Sequence, residues 1–176
     1  MIRGFATVDG TGEYARRFSH LPYSPLGRAG LQVSSAGFGA YRVDSSVPAH
    51  QAALRSALLS GINLVDTSAN YADGGSEKLI GEVLGELTAQ GTVARDGVVI
   101  VSKGGYLQGS NYHRSQARKA AGQPFPELVE FAHGLEHCIH PEFLAEQIRG
   151  SLERLQVETI DCYLLHNPEY YLKYAE

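Results

Sequence analysis

The 176-residue sequence predicts an α/β fold, a barrel of parallel strands of which about four strands with their helices are present. Three observations carry this reading. Short apolar runs alternate with segments of helical period, an order that makes successive strands parallel with a helix crossing between them. Three of these runs end directly in Asp66, Lys103 and His166, so polar groups gather at the carboxyl edge of the sheet, where barrels carry their functional groups. The first run is followed by Gly37-Phe38-Gly39-Ala40-Tyr41-Arg42, which lacks the third glycine and the immediate helix of an open nucleotide-binding sheet.

Taken in order, residues 1–22 show no strong periodicity and are expected to be an irregular lead-in, with residues 23–176 forming the barrel domain. Tyr23–Leu26 and Leu31–Val33 flank Gly27-Arg28-Ala29-Gly30, a short hairpin. Ser35–Gly39 is the first strand. Pro48–Leu59 is a helix, with Pro48 in its first turn and Gly61 as its stop. Ile62–Val65 is a strand ending in Asp66. Ser76–Leu87 puts Leu79, Ile80, Val83, Leu84 and Leu87 on one helical face. Val98–Val101, a β-branched run, suits a strand covered on both faces. Residues 104–140 read as one long mixed connection. Pro141–Leu155 is a helix with Phe143, Leu144, Ile148, Leu152 and Leu155 inward. Thr159–Leu165 is a strand ending in His166, and a fourth helix begins within Asn167–Glu176.

At 43% hydrophobic and 19% charged residues the composition is that of an ordinary globular domain with one core. A net charge of -4 gives no electrostatic case for binding nucleic acid or an anionic membrane. No stretch reaches the roughly 18 apolar residues of a membrane span. The first residues lack the apolar core of a secretory signal, and the expectation is a cytoplasmic protein. Cys138 and Cys162 read as reduced thiols, Cys162 as a buried one within its apolar run.

Tyr71 lies five residues beyond Asp66, close enough to return over the same rim as Lys103 and His166. These four side-chain types suit one chemistry. A phenol titrates near about 10 and is a weak acid at neutrality; an adjacent ammonium favours its anion and strengthens it. A carboxylate fixes the ammonium, and an imidazole can donate to a carbonyl oxygen and orient it. Together they suit delivery of a proton to oxygen while a hydride reaches carbon, and the hydride must come from a cofactor.

Gly61-Ile62-Asn63-Leu64-Val65-Asp66-Thr67-Ser68-Ala69-Asn70-Tyr71, followed by Gly75-Ser76-Glu77 and Gly81, resembles the aldo-keto reductase signature. So do Ser151-Leu152-Glu153-Arg154-Leu155, Asp161-Cys162-Tyr163-Leu164-Leu165-His166, and the opening from Leu26-Gly27 to Gly39. The resemblance implies a (β/α)8 barrel of the TIM type, its bottom closed by the hairpin, and NADP(H)- or NAD(H)-dependent reduction of an aldehyde or ketone, or alcohol oxidation in reverse. It implies Tyr71 as general acid, Asp66 and Lys103 as its tuning pair and His166 as the orienting group. Gly39, Ala40, Tyr41 and Asp66 would meet the nicotinamide, and Tyr71, Tyr106 and His166 the substrate, a small carbonyl compound or sugar. His166-Asn167-Pro168-Glu169 is similar to the branch acting on aldoses.

A complete barrel takes eight strands in about 250 residues, so the reading expects a fragment or truncated form, with weak cofactor affinity by itself. Its unpaired outer strands are expected to favour self-association. A non-catalytic binding or assembly protein on the same scaffold is the alternative function. His133-Gly134-Leu135-Glu136-His137 spells a zinc-protease pattern, but in a glycine-containing connection, and no metal is expected. His140 reads as the residue before a helix start at Pro141. Tyr112 and His113, like Tyr106, lie in the connection expected to overhang the site.

Overall fold

The computed structural model describes residues 1–174. A four-stranded parallel sheet forms its centre, from β3 (Phe38–Gly39), β4 (Leu64–Asp66), β5 (Val99–Gly104) and β9 (Cys162–Leu165), in that spatial order. The register sets Val65 beside Ile100 and Val101 beside Cys162. Side chains alternate across a sheet, and the two faces separate accordingly. Val65, Val98 and Ile100 pack with the helices α2 (Pro48–Leu59), α3 (Gly75–Ala89) and α5 (Pro141–Leu155) through Leu54, Leu58, Leu79, Leu84 and Leu155. Leu64, Val99, Val101 and Cys162 face the other way and are covered from below by Val33, Leu26 and Leu31 of the antiparallel hairpin β1 (Tyr23–Pro25) and β2 (Gln32–Ser34).

α2 and α5 occupy the ranges their sequences predict. Each has a proline in its first turn, where the missing N–H costs no intrahelical bond. His140 caps α5 through its imidazole Nδ1, which accepts from the Glu142 amide at 3.3 Å. α3 passes so close to the end of α5 that a Cβ on Gly81 would lie 2.5 Å from the Leu155 carbonyl oxygen. Only glycine fits there.

The first 22 residues are not irregular throughout. Val8–Arg17 forms α1, capped by the Thr7 hydroxyl on the Gly10 amide, with Asp9 in the first turn and Arg16 and Arg17 in the last. These charges complement the helix dipole, a signal that the weak apolar periodicity concealed. Tyr14 turns inward and its hydroxyl donates to the Leu58 carbonyl. Beneath the sheet a buried ion pair ties three segments together. Asp161, at the foot of β9, accepts from Arg95 Nη2 at 2.9 Å, the Ala6 amide at 2.7 Å and the Ile100 amide at 2.8 Å. Arg95 also donates to the carbonyls of Val98 and Thr159.

The connection after β5 is structured where the sequence shows only a mixed segment. It contains β6 (Tyr106–Leu107), α4 (Ser110–Ala120), β7 (Val129–Ala132) and β8 (Leu135–His137), with the strands antiparallel in the order β6-β8-β7. Its apolar centre is Leu107, Phe125 and Cys138 against Phe143 of α5. The strands are too short, and α4 too polar, to show periodicity. Cys138 is the fully buried thiol, raised to about 11 by that burial, whereas Cys162 is only partly covered, because it lies on β9 at the edge of the sheet.

α6 (Pro168–Tyr174) begins the helix expected after His166, and Ala175 and Glu176 lie outside the described residues. Among the described residues no helix is long and apolar enough to cross a membrane.

Candidate active site

Three strands bring residues at or just past their ends to one rim. Asp66 ends β4 with the parity of Leu64, Lys103 follows Val99 and Val101 on the same face of β5, and His166 comes directly after β9. Tyr71 opens a 3-10 turn, Tyr71–Gly74, in which Ala72 and Asp73 hold left-handed φ angles of 48° and 50°. Such angles are strained for non-glycine residues. The turn is fastened from above: the Asp73 carboxylate accepts from the Ser110 amide at 3.1 Å and its hydroxyl at 2.8 Å, so it also caps α4.

Lys103 Nζ donates to Asp66 Oδ2 at 2.8 Å, the Thr67 carbonyl at 2.7 Å and Tyr71 Oη at 3.3 Å. Three protons thus meet three acceptors. The Lys103 side chain is 13% exposed and that of Asp66 41%, so the ammonium is enclosed while the carboxylate still reaches solvent. The Tyr71 ring stands edge-on to His166 at 5.7 Å and to Tyr41 at 5.2 Å. Gly39 pairs with Asp66, and the Ala40 amide donates to the Asp66 carbonyl at 2.9 Å, which puts the segment 39–41 beside the carboxylate. A Cβ on Gly39 would meet nothing within 4 Å, and Tyr41 is largely exposed.

His166 is held at three points. Its amide donates to the Gly104 carbonyl at 2.7 Å, its carbonyl accepts from His137 Nε2 at 2.7 Å, and its Nδ1 lies 2.9 Å from Ser68 Oγ. Tyr106 packs edge-on against the imidazole at 4.7 Å and against His137 at 5.5 Å. Burial, the Lys103 ammonium and His137 together push His166 down to about 4, so it is neutral at ordinary pH. In the unfolded chain it takes up a proton near 6.5. The folded chain resists that proton, so stability should fall as pH drops from 6.5 toward 4. Replacing His166 by Gln should flatten that part of a plot of urea midpoint against pH; an unchanged slope would show that His166 titrates normally.

Asp66, Tyr71, Lys103, His166, Tyr41 and Tyr106 therefore share one site. Tyr112 and His113 do not join it. Their rings meet edge-on at 6.1 Å, and Tyr112 borders a separate cavity of about 290 Å³ lined also by Glu130, Phe131, Ala132, His133 and Glu136. The metalloprotease-like pattern is folded as a hairpin, with His133 at its turn, Glu136 paired to Lys119, and His137 turned to the His166 carbonyl. Among the described residues no group of three or more His, Cys, Asp or Glu is placed to hold a metal ion. Sequence reasoning missed Ser68, Asp73 and the support given by His137. Ser68 stands inside the motif already singled out, but only the return of His166 across 98 residues reveals its partner.

The sequence and the fold have counterparts among known proteins. The chain is 33% identical over 141 residues to an L-galactose dehydrogenase of Arabidopsis thaliana, a match covering 77% of this chain and 41% of that one. An aldo-keto reductase from Bacillus halodurans, in its holo form, superposes with a TM-score of 0.62 at 22% identity, covering 88% of this chain and 45% of the other. Another aldo-keto reductase, solved with NADPH bound, gives 0.55 at 22% identity over 84% and 36%. The chain thus spans less than half the length of each. The model of the aldo/keto reductase family matches residues 36–176, and the chain belongs to that family.

Proposed function

We propose that this chain carries the acid–base site of an oxidoreductase that reduces aldehydes and ketones with NADP(H) or NAD(H), or oxidises a sugar or alcohol in reverse. One observation carries the reading: a phenol hydroxyl 3.3 Å from an ammonium that is itself anchored on a carboxylate, with a neutral imidazole beside it. In the reduction Tyr71 gives its proton to the substrate oxygen as carbon gains hydride. Lys103 stabilises the phenolate left behind, and Asp66 fixes Lys103. His166 donates from its ring to the carbonyl oxygen before transfer, and Tyr106 walls the substrate side. In alcohol oxidation the same groups act in the opposite order, with the Tyr71 phenolate as base.

The nicotinamide supplies hydride to the carbonyl carbon when bound. Gly39, Ala40, Tyr41 and Asp66 fit one edge of such a ring, with open space at Gly39 and an exposed aromatic face at Tyr41. A sugar substrate is favoured by the similarity to an L-galactose dehydrogenase. A cytoplasmic setting suits both the reduced cofactor pool and the free thiols of Cys138 and Cys162. The outer edge of β9, beside exposed Leu164 and Leu165, is where a further strand pairs, from a second copy or from another segment of a longer chain.

The test is reduction of a panel of short aldehydes and aldoses, followed by loss of NADPH and NADH absorbance, alongside fluorescence titration of NADPH into the 176-residue chain. Turnover is expected from protein carrying the remaining strands, with only weak NADPH binding by these residues alone. Absence of any NAD(P)H-dependent turnover once this chain is joined to the further strands of a family barrel would overturn the function. Micromolar binding with turnover by this chain would overturn the expectation of weakness.

A further inference from the structure

His137 is completely buried, and burial lowers its imidazole below the usual range, so the ring is neutral at ordinary pH and holds one proton. Geometry fixes where that proton lies. Nε2 stands 2.7 Å from the His166 carbonyl oxygen, which can only accept, so Nε2 is the donor. Nδ1 is then a bare acceptor, and it has no hydrogen-bond partner among the described residues. A buried acceptor without a donor costs stability. An apolar side chain of similar volume would fill the space without that cost. What it could not supply is the bond to residue 166.

The chain is shaped around this bond. Gly105 has a φ of 138°, and a Cβ there would lie 2.8 Å from His137 Nε2 and 3.2 Å from the His166 carbonyl oxygen. Glycine lets the two meet. Directly beyond that carbonyl, Asn167 holds a left-handed φ of 50° as the chain turns into α6. The His166 amide is tied to β5 through the Gly104 carbonyl, so the strand fixes one side of the residue. The other side leads straight into the left-handed turn, and His137 is what holds it.

Resting on the reductase reading above, we propose that His137 is a positioning residue for the imidazole that orients the substrate carbonyl. Its Nε2–H pins the peptide after His166 and so sets where that ring stands against Tyr71. His137 acts through His166 and, being buried, never touches the substrate. The second histidine of the metalloprotease-like pattern thus has a use that needs no metal.

The test needs neither cofactor nor turnover, so it can fail while the reductase reading stands, and the reverse. In the 15N-labelled chain near neutral pH, the ring nitrogens of His137 are identified by their loss in His137→Gln. A pyrrole-like shift at Nε2 and a pyridine-like shift at Nδ1 are expected in the unmodified chain, and the opposite pattern would overturn the proposal. The position of His166 is read by its own titration and by nuclear Overhauser contact with the Tyr71 ring. Its imidazole faces Lys103, His137, Asp66 and Glu169 as charged or titrating groups, with the Tyr71 and Tyr106 rings packed on it, and its value is about 4. His137→Gln and His137→Met remove the same imidazole, but only Gln keeps an N–H where Nε2 was. In His137→Met the titration should move from about 4 toward 6.5 and the contact with Tyr71 should weaken. In His137→Gln both should stay near those of the parent. His137→Asn, whose amide stops short of the carbonyl, should behave as Met does and serves if the Met variant fails to fold by circular dichroism. Parent-like titration in a folded Met or Asn variant, or a Gln variant that follows them, would overturn the proposal.

Discussion

Replacing Tyr71 by Phe should lower the rate of aldehyde reduction by about 10²–10⁴-fold in any form of the protein that turns over. The change removes one oxygen. It leaves the ring edge-on to His166 and Tyr41, and Lys103 keeps its bonds to Asp66 and the Thr67 carbonyl. Cofactor affinity should therefore survive, and the loss should fall on kcat rather than on NADPH binding measured by fluorescence. This outcome also separates the enzyme from a non-catalytic protein on the same scaffold, which has no reason to need the hydroxyl. Undiminished turnover would remove Tyr71 from the role of acid.

The largest stability effect should come from Asp161. Its carboxylate and the Arg95 side chain are 4% and 5% exposed, and the carboxylate serves Arg95, the Ala6 amide and the Ile100 amide together. Asp161→Leu would strand a guanidinium and two amides away from water. Breaking one partner of a buried pair costs about 3–5 kcal/mol, a large share of the roughly 5–15 kcal/mol that holds a domain folded. A urea titration should show the midpoint falling sharply, with less than additive loss when Arg95→Met is combined with it. A midpoint within experimental scatter of the parent would mean that water replaces the carboxylate beneath the sheet.

Much of this molecule is legible in its sequence, and the boundary of legibility has physical causes. α2 and α5 carry a proline at the start and a regular apolar stripe, so pattern and packing agree. The strand before Lys103 is covered on both faces and those before Asp66 and His166 only in part, and in all three a polar residue at the end of an apolar run marks the rim without any knowledge of contacts. α1 lacks a broad apolar face: Thr11 and Tyr14 are its buried residues, and its identity rests on a cap and charges at either end. β7 and β8 are four and three residues long, too short for alternation to register. His137 reads in sequence as half of a metal motif, yet it sits in a strand whose pairing with Tyr106 turns it to the His166 carbonyl. Such a role depends on the meeting of residues 29 apart, and no local pattern encodes it.

The segment between β5 and α5 grips the phenol and the imidazole from separate ends. Through Ser110 on Asp73, and Gln108 on Asn70, it holds the turn that carries Tyr71; through His137 and Tyr106 it braces His166. Tyr71 and His166 thus share one mechanical mount, though they follow strands that are not neighbours in the sheet. A disturbance that lifts this mount unseats both at once, so the rim is either assembled for chemistry or slack as a whole, with little room for a half-ordered state.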